Sequence, residues 1–220
     1  CGWGGMVMHA ARHYGVQSVG VTISMEQAER ARKRVADAGL SDQIEIRIQD
    51  YRDIADGPFD AISSIGMAEH VGGERELRTY FGQAARLLAP KGRFLNHAIS
   101  RAAKFEGAGK NGFIQRYVFP DGQLHEVGSS ISLMQEAGFE ARHMENLRLH
   151  YARTLRQWVA NLEANWDDAV AEVGRGRAWV WRLYMAGSAV AFERGEIQLN
   201  QVLGVHEGLT HGDVPLRPDW

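Results

Sequence analysis

A glycine-rich turn at the head of the chain, Cys1-Gly2-Trp3-Gly4-Gly5, runs directly into a helical pattern, and strands and helices then alternate regularly for about a hundred residues. That combination restricts the fold more than any other feature. Glycines let a backbone approach a ligand with no Cβ in the way. The N–H groups opening the following helix then face the ligand's polar atoms. Residues 4–14 read as a helix closed by Gly15, and 18–23 as a short buried strand. Ser24 caps a helix over 25–38, and 43–48 and 59–65 read as strands. A helix over 74–88 closes at Pro90, and a strand over 92–99 follows. Such alternation predicts an α/β fold, a doubly wound and mostly parallel sheet flanked by helices. The strand that should deliver the glycine turn is expected to lie before Cys1, because the chain opens inside the motif.

After residue 100 the rhythm changes. Residues 100–128 are rich in glycine and aromatics and read as a long excursion. A helix over 129–137 and a strand over 139–150 follow. Two helical blocks, 153–172 and 175–194, hold Trp158, Trp166, Trp179 and Trp181, and 197–205 reads as a final strand. The reading is one domain over 1–205, with substrate-side insertions at 100–128 and 151–195, and a poorly ordered tail over 206–220. Composition is globular, 45% hydrophobic and 24% charged. Its 25 basic and 27 acidic residues nearly balance, so nucleic acid is not expected as a partner. A single cysteine suits a reducing compartment and forms no intrachain disulfide here. No apolar run approaches the roughly 20 residues of a membrane span.

The nucleotide pocket can be read from the strand ends. Met8 stands where a dinucleotide site would have its third glycine, and no acidic residue closes the second strand, so a nicotinamide enzyme is disfavoured. Thr22, Ser24 and Gln27 offer neutral hydrogen-bonding groups for a ribose or a carboxylate. Gln49, Asp50, Tyr51 and Arg52 form a polar patch suited to a purine, although an Asp-rich turn alone would explain it. The histidines at 9, 13, 125, 143, 206 and 211 have no metal-ligand spacing, so no metal is expected.

Six ordered segments resemble one family. They are Cys1–Gly5, Gly20–Gln27, Phe59–Gly72, Tyr117–Gly122, His150–Leu155 and Ile197–Gln201. Together they are similar to the cyclopropane-fatty-acid synthase family, including the mycolic acid cyclopropane synthases. These are S-adenosylmethionine-dependent methyltransferases of the class I, Rossmann-like type. The resemblance implies a seven-stranded sheet with its first strand missing from this chain. It also implies that Gly2 and Gly4 approach the methionine part of S-adenosylmethionine, that Thr22 and Gln27 hold the ribose region, that Tyr51 and Arg52 flank adenine, and that Ile65 packs nearby. The implied reaction methylates the double bond of an unsaturated, phospholipid-bound acyl chain, and a bound bicarbonate deprotonates the resulting carbocation. Its cradle here would be Glu69, His97, the backbone of Ile99, and Tyr151, with Tyr117 and Phe119 towards the acyl chain. Ring closure gives a cyclopropane, and loss of a different proton gives a methyl or methylene branch.

The resemblance further implies a cytoplasmic enzyme in peripheral contact with a membrane, and it leaves room for a homo-oligomer and a partner reductase. Three departures bear on the product. Ala68 replaces the family's usual phenylalanine, His125 stands where proline is common, and Asn200 replaces a tryptophan. Two other readings stay open: a class I methyltransferase of a small amine or natural product, and a catalytically silent relative that binds cofactor or lipid.

Overall fold

Six strands pair as two sheets among the residues described, which are 1–105 and 112–208 of a computed structural model. The chain divides into two compact units, Cys1–Pro58 and Phe59–Trp220.

The first unit is built on small residues. Helix α1 (Gly5–Tyr14) starts after Gly4, whose φ is +78°, and stops at Gly15, whose N–H donates to the carbonyl of Ala11. Strand β1 (Ser18–Thr22) and strand β2 (Ile44–Ile48) are parallel, in register from Ser18–Ile44 to Thr22–Ile48. Between them lies helix α2 (Met25–Asp37), which buries Ala28, Ala31 and Val35 at helical spacing. These three join Ala11, Leu40, Ile44 and Ile46 in one apolar core. Alanines on the inner face let the backbone come close, and a Cβ on Gly4 would stand 3.2 Å from that of Ala31. The Ser24 hydroxyl accepts the Gln27 N–H at 3.2 Å and so caps α2. Ser24→Ala is expected to cost about 1 kcal/mol, the usual worth of such a cap. Urea unfolding would measure the loss.

The second unit is a four-stranded sheet of order β3-β4-β6-β5. Strand β3 (Phe59–Ile65) runs parallel to β4 (Leu88–Arg101). Strand β6 (Ile197–His206) is antiparallel to β4 and to β5 (Phe139–Asn146). Alternation along β4 divides the packing. On one side Phe94 meets Tyr80 and Phe81 of α3 (Glu74–Leu87) and stacks on Phe139 at 5.1 Å. The buried Tyr80 hydroxyl donates to Asn96 Oδ1. On the other side Ile99 and Leu199 pack with Ala152 and Leu155 of α6 (Arg148–Ala164) and with Met185, Ala189 and Phe192 of α8 (Arg175–Arg194). Short helices α4 (Phe113–Tyr117), α5 (Val127–Glu136) and α7 (Trp166–Val173) complete the unit.

Several boundaries differ from expectation. The strand predicted over 92–99 already begins at Leu88 and runs through Pro90 to Arg101. Residues 148–150, expected to end a strand, open α6 instead. Asn146 Oδ1 accepts the Arg148 N–H at 3.0 Å, while the Leu147 N–H makes the last bond to Leu199. That is a side-chain turn stopping a strand and starting a helix. The two helical blocks predicted over 153–194 are three helices, since Asn165 interrupts the first. The last strand continues to His206, where the tail was expected to begin, and residues 209–220 of that tail lie outside the described residues.

Candidate functional site

In the first unit the candidate residues gather at the C-terminal ends of β1 and β2, where ligands of α/β sheets bind. Gly2 and Gly4 both have positive φ, +52° and +78°, so the turn before α1 needs glycine at each. No side chain caps α1, so its first N–H groups have no capping oxygen. Thr22 ends β1, and its hydroxyl donates to Gln27 Oε1 at 2.8 Å while accepting the Ser24 N–H. The Gln27 NH₂ is then the group left to donate. Gln49 is tied to the same strand end, its N–H donating to the Thr22 carbonyl and its amide to the Asp53 carbonyl. Asp50 accepts both the Arg52 N–H and its guanidinium, and this pairing holds the Asp50 carboxyl below the usual carboxylate range. The same guanidinium lies 5.9 Å from the Tyr51 ring centre. Around these polar groups Ile23, Met25 and Ile48 are exposed.

Ile65 belongs to the second unit, as the exposed last residue of β3. The chain turns there at Gly66, whose N–H donates to the His97 carbonyl, and a 3₁₀ turn over Ala68–His70 carries Glu69. Three contacts hold that loop. Gln123 donates its N–H to the Glu69 carbonyl at 2.8 Å, His125 Nε2 lies 2.9 Å from the Gly72 carbonyl, and Glu76 caps the N–H of Gly73.

Glu69 is only 7% exposed, unusual for a carboxylate. Its Oε1 accepts the Ile99 N–H at 2.7 Å, and its Oε2 is buried without a partner. Burial pushes the Glu69 carboxyl up, and the Ile99 N–H only partly offsets that. His97 lies two residues before Ile99 on the same face of β4, half-buried, and burial pushes its imidazole down towards the neutral form. Its Nδ1 is 3.0 Å from the amide nitrogen of Gln201. Tyr151 projects from the first turns of α6 against Phe192 and Trp158, with ring centres 5.1 and 5.8 Å away. Burial pushes its phenol up to about 12, and the neighbouring Tyr184 and Glu69 add to that. Tyr184 on α8 is also raised, chiefly by burial, with a hydrogen bond to Ser188 opposing and Glu69 adding to the rise. Glu69, Ile99, Tyr151 and Tyr184 thus form one electrostatic neighbourhood beside a strand face that carries His97.

An aromatic group borders these residues. Phe119 meets Tyr184, Trp181 and His70 edge-on, at 5.6, 6.5 and 5.3 Å. Arg177 stands over the Trp181 ring and donates to the Tyr117 carbonyl. Tyr184 and Gln201 are the members that sequence reasoning missed. Tyr184 looks like any tyrosine on a buried helix. Gln201 does carry a signal, as a polar residue in an otherwise apolar alternation of Ile197, Leu199 and Leu203.

Comparison with known proteins gives one consistent result. Residues 1–202 match the family model of mycolic acid cyclopropane synthetase. A probable fatty acid methyltransferase of Mycobacterium tuberculosis is 50% identical over 221 residues, covering 100% of this chain and 51% of that protein. The cyclopropane-fatty-acyl-phospholipid synthase of Escherichia coli K12 is 37% identical over 212 residues, 95% of this chain and 53% of that one. The chain therefore spans about half the length of these two relatives. Among solved structures, mycolic acid cyclopropane synthase CmaA1 complexed with SAH and CTAB superposes with a TM-score of 0.85 at 31% identity, covering 93% of this chain and 75% of that one.

Proposed function

The chain belongs to the mycolic acid cyclopropane synthetase family, and from that premise we propose that it is the catalytic part of an S-adenosylmethionine-dependent methyltransferase acting on the double bond of an unsaturated, phospholipid-bound acyl chain. One observation carries the proposal: a buried carboxylate, Glu69, with one oxygen on the Ile99 N–H and the other without a partner. A desolvated, unpaired oxygen of that kind is costly unless a ligand satisfies it.

The residues of the first unit fit S-adenosylmethionine. Gly2 and Gly4 leave room for its backbone-facing end, Thr22, Ser24, Gln27 and Gln49 offer neutral polar groups, and Asp50, Tyr51 and Arg52 with exposed Ile23 and Ile48 suit a purine and its ribose. When bound, that cofactor supplies an electrophilic methyl group. Ile65 is assigned to the same cofactor on the resemblance alone.

An isolated alkene is a weak nucleophile, so the protein's share is alignment and exclusion of water. Methylation leaves a cation on the acyl chain, and the faces of Phe119, Trp181, Tyr184 and Tyr151 are the groups able to stabilise it. One proton must then leave. The donor set around Glu69 fits a bicarbonate, which supplies the base when bound. Neutral His97 and the un-ionised Tyr151 would donate hydrogen bonds to such an anion, and Glu69 Oε2 would accept one from it. Exposed Leu149, Trp158, Trp179 and Leu183 on α6 and α8 support peripheral contact with a membrane, and no helix of the described residues is long and apolar enough to cross one.

Mass spectrometry of lipids from cells making the full-length protein and fed methyl-labelled methionine tests this. One labelled carbon gained per unsaturated chain is the expected result, and fragmentation separates ring from branch. Unlabelled lipid with cofactor binding intact would overturn it. Ala68 is buried beside Glu69, at a position where the family resemblance implies a phenylalanine. Ala68→Phe is therefore expected to change the ratio of ring to branched product, and an unchanged ratio removes that role.

A further inference from the structure

We propose that Gln201 is a positioning residue that fixes His97 as its Nε2–H tautomer, making this histidine a hydrogen-bond donor rather than a base at Nε2. The inference rests on the role given to His97 above and adds a residue to it.

Register makes the pairing. His97 on β4 and Gln201 on β6 are direct cross-strand partners in an antiparallel ladder, so their side chains stand on the same face. That face is apolar on both strands next to them. Leu95 and Ile99 flank His97, and Leu199 and Leu203 flank Gln201. Leu199 and Ile99 belong to the core beneath α6 and α8. An amide and an imidazole facing each other there must satisfy one another.

The Gln201 amide nitrogen lies 3.0 Å from His97 Nδ1. That nitrogen can only donate, so Nδ1 must offer its lone pair. A neutral imidazole with Nδ1 as acceptor carries its proton on Nε2. Burial favours the neutral ring, so the protonation of Nε2 follows from the neighbour and not from an added charge. A histidine in this state presents N–H to an oxyanion. Its Nε2 already carries a proton and has no lone pair, and its one lone pair, at Nδ1, is engaged by Gln201. Proton removal from the acyl cation then falls to another group.

The test is histidine-selective ¹⁵N NMR on the full-length protein, with activity in parallel. Wild type is expected to show the shift pattern of an Nε2–H, Nδ1-acceptor ring at His97, identified by its loss in His97→Gln. In Gln201→Glu the carboxylate can only accept, so the pattern should move to Nδ1–H or to imidazolium. In Gln201→Leu it should become a mixture of tautomers. In Gln201→Leu, and in Gln201→Glu where the ring shifts to Nδ1–H, kcat for methyl transfer should fall by at least about ten-fold with KM for S-adenosylmethionine unchanged, as for a catalytic histidine held in the wrong tautomer. Rescue of kcat is expected when Gln201 is restored. An Nδ1–H pattern in wild type would overturn the assignment whatever the activity. A pattern shifted towards Nδ1–H with unchanged kcat would overturn the positioning role. If wild type itself methylates no lipid, the proposed function fails, while the NMR pattern still decides the tautomer.

Discussion

Glu69→Gln is expected to lower kcat for methyl transfer by about 10²- to 10⁴-fold, the range over which a positioned proton-transfer group acts, while the protein still folds and still binds S-adenosylmethionine. The geometry separates the two effects. Glutamine keeps an oxygen for the Ile99 N–H, so the bond of 2.7 Å that joins the loop to β4 survives. It replaces the unpartnered Oε2 with an NH₂ group, which donates where the proposed bicarbonate would need an acceptor for its hydroxyl. The variant also has a signature in stability. Burial raises the Glu69 carboxyl in the folded state, whereas the unfolded chain has the ordinary value. Between those two values the native state holds a proton that the unfolded state has lost. Stability from this group is therefore full below the ordinary carboxylate range and declines as pH rises through the raised value. Glu69→Gln removes that decline, so its stability relative to wild type should improve with pH across the window. Urea unfolding at several pH values, alongside kcat and calorimetric cofactor binding, checks both. Unchanged kcat would sink the catalytic assignment, and a flat stability difference would sink the buried-carboxylate account.

The sequence made the path of the chain legible where one residue decides locally. Ser24 as a cap, Gly15 as a stop and the apolar run before Glu69 are all found in place. Glu69, His97, Ile99 and Tyr151 could be singled out only through the family resemblance, since on pattern alone a histidine inside an apolar strand reads as a core residue. What stayed hidden depends on register between distant segments. His97 and Gln201 are 104 positions apart, and only the β4–β6 ladder puts them opposite each other. Asn146 ended a strand and began a helix through one side-chain bond, which no periodicity announces. The orphaned oxygen of Glu69 is a property of packing around it and has no pattern in sequence at all. Asn200, read only as a departure from a common tryptophan, turns out to be buried and to donate to Ser100 Oγ at 2.7 Å across the β4–β6 pair. The Asn200 Oδ1, like Glu69 Oε2, is buried without a partner, so that bond satisfies only the nitrogen of the amide.

Phe94→Ala is expected to destabilise the protein by about 3–5 kcal/mol, the cost of removing a buried aromatic ring. Phe94 is fully buried, 0% exposed. Its ring stacks on Phe139 and meets Tyr80 and Phe81 edge-on, each within about 6 Å between centres, so the loss includes ring-pair energy as well as buried area. Collapse cannot refill the space easily. The residue directly across the ladder is Gly204, which has no side chain to swing in, and Met134 and Phe139 already crowd that glycine. The upper half of the range is therefore expected. Its effect on chemistry should be the reverse of that of Glu69→Gln. Phe94 faces α3, while His97 and Ile99 face α6 and α8 and are held by β4's ladder bonds to β3 and β6. Folded Phe94→Ala molecules should therefore keep a kcat within about two- to three-fold of wild type, a change worth well under 1 kcal/mol in the barrier. Denaturant unfolding with kcat measured at low temperature separates the two quantities. A loss of stability below about 1 kcal/mol would show that this aromatic cluster is not the core it is taken to be. A collapse of kcat in the folded variant would show that the two faces of β4 are mechanically coupled.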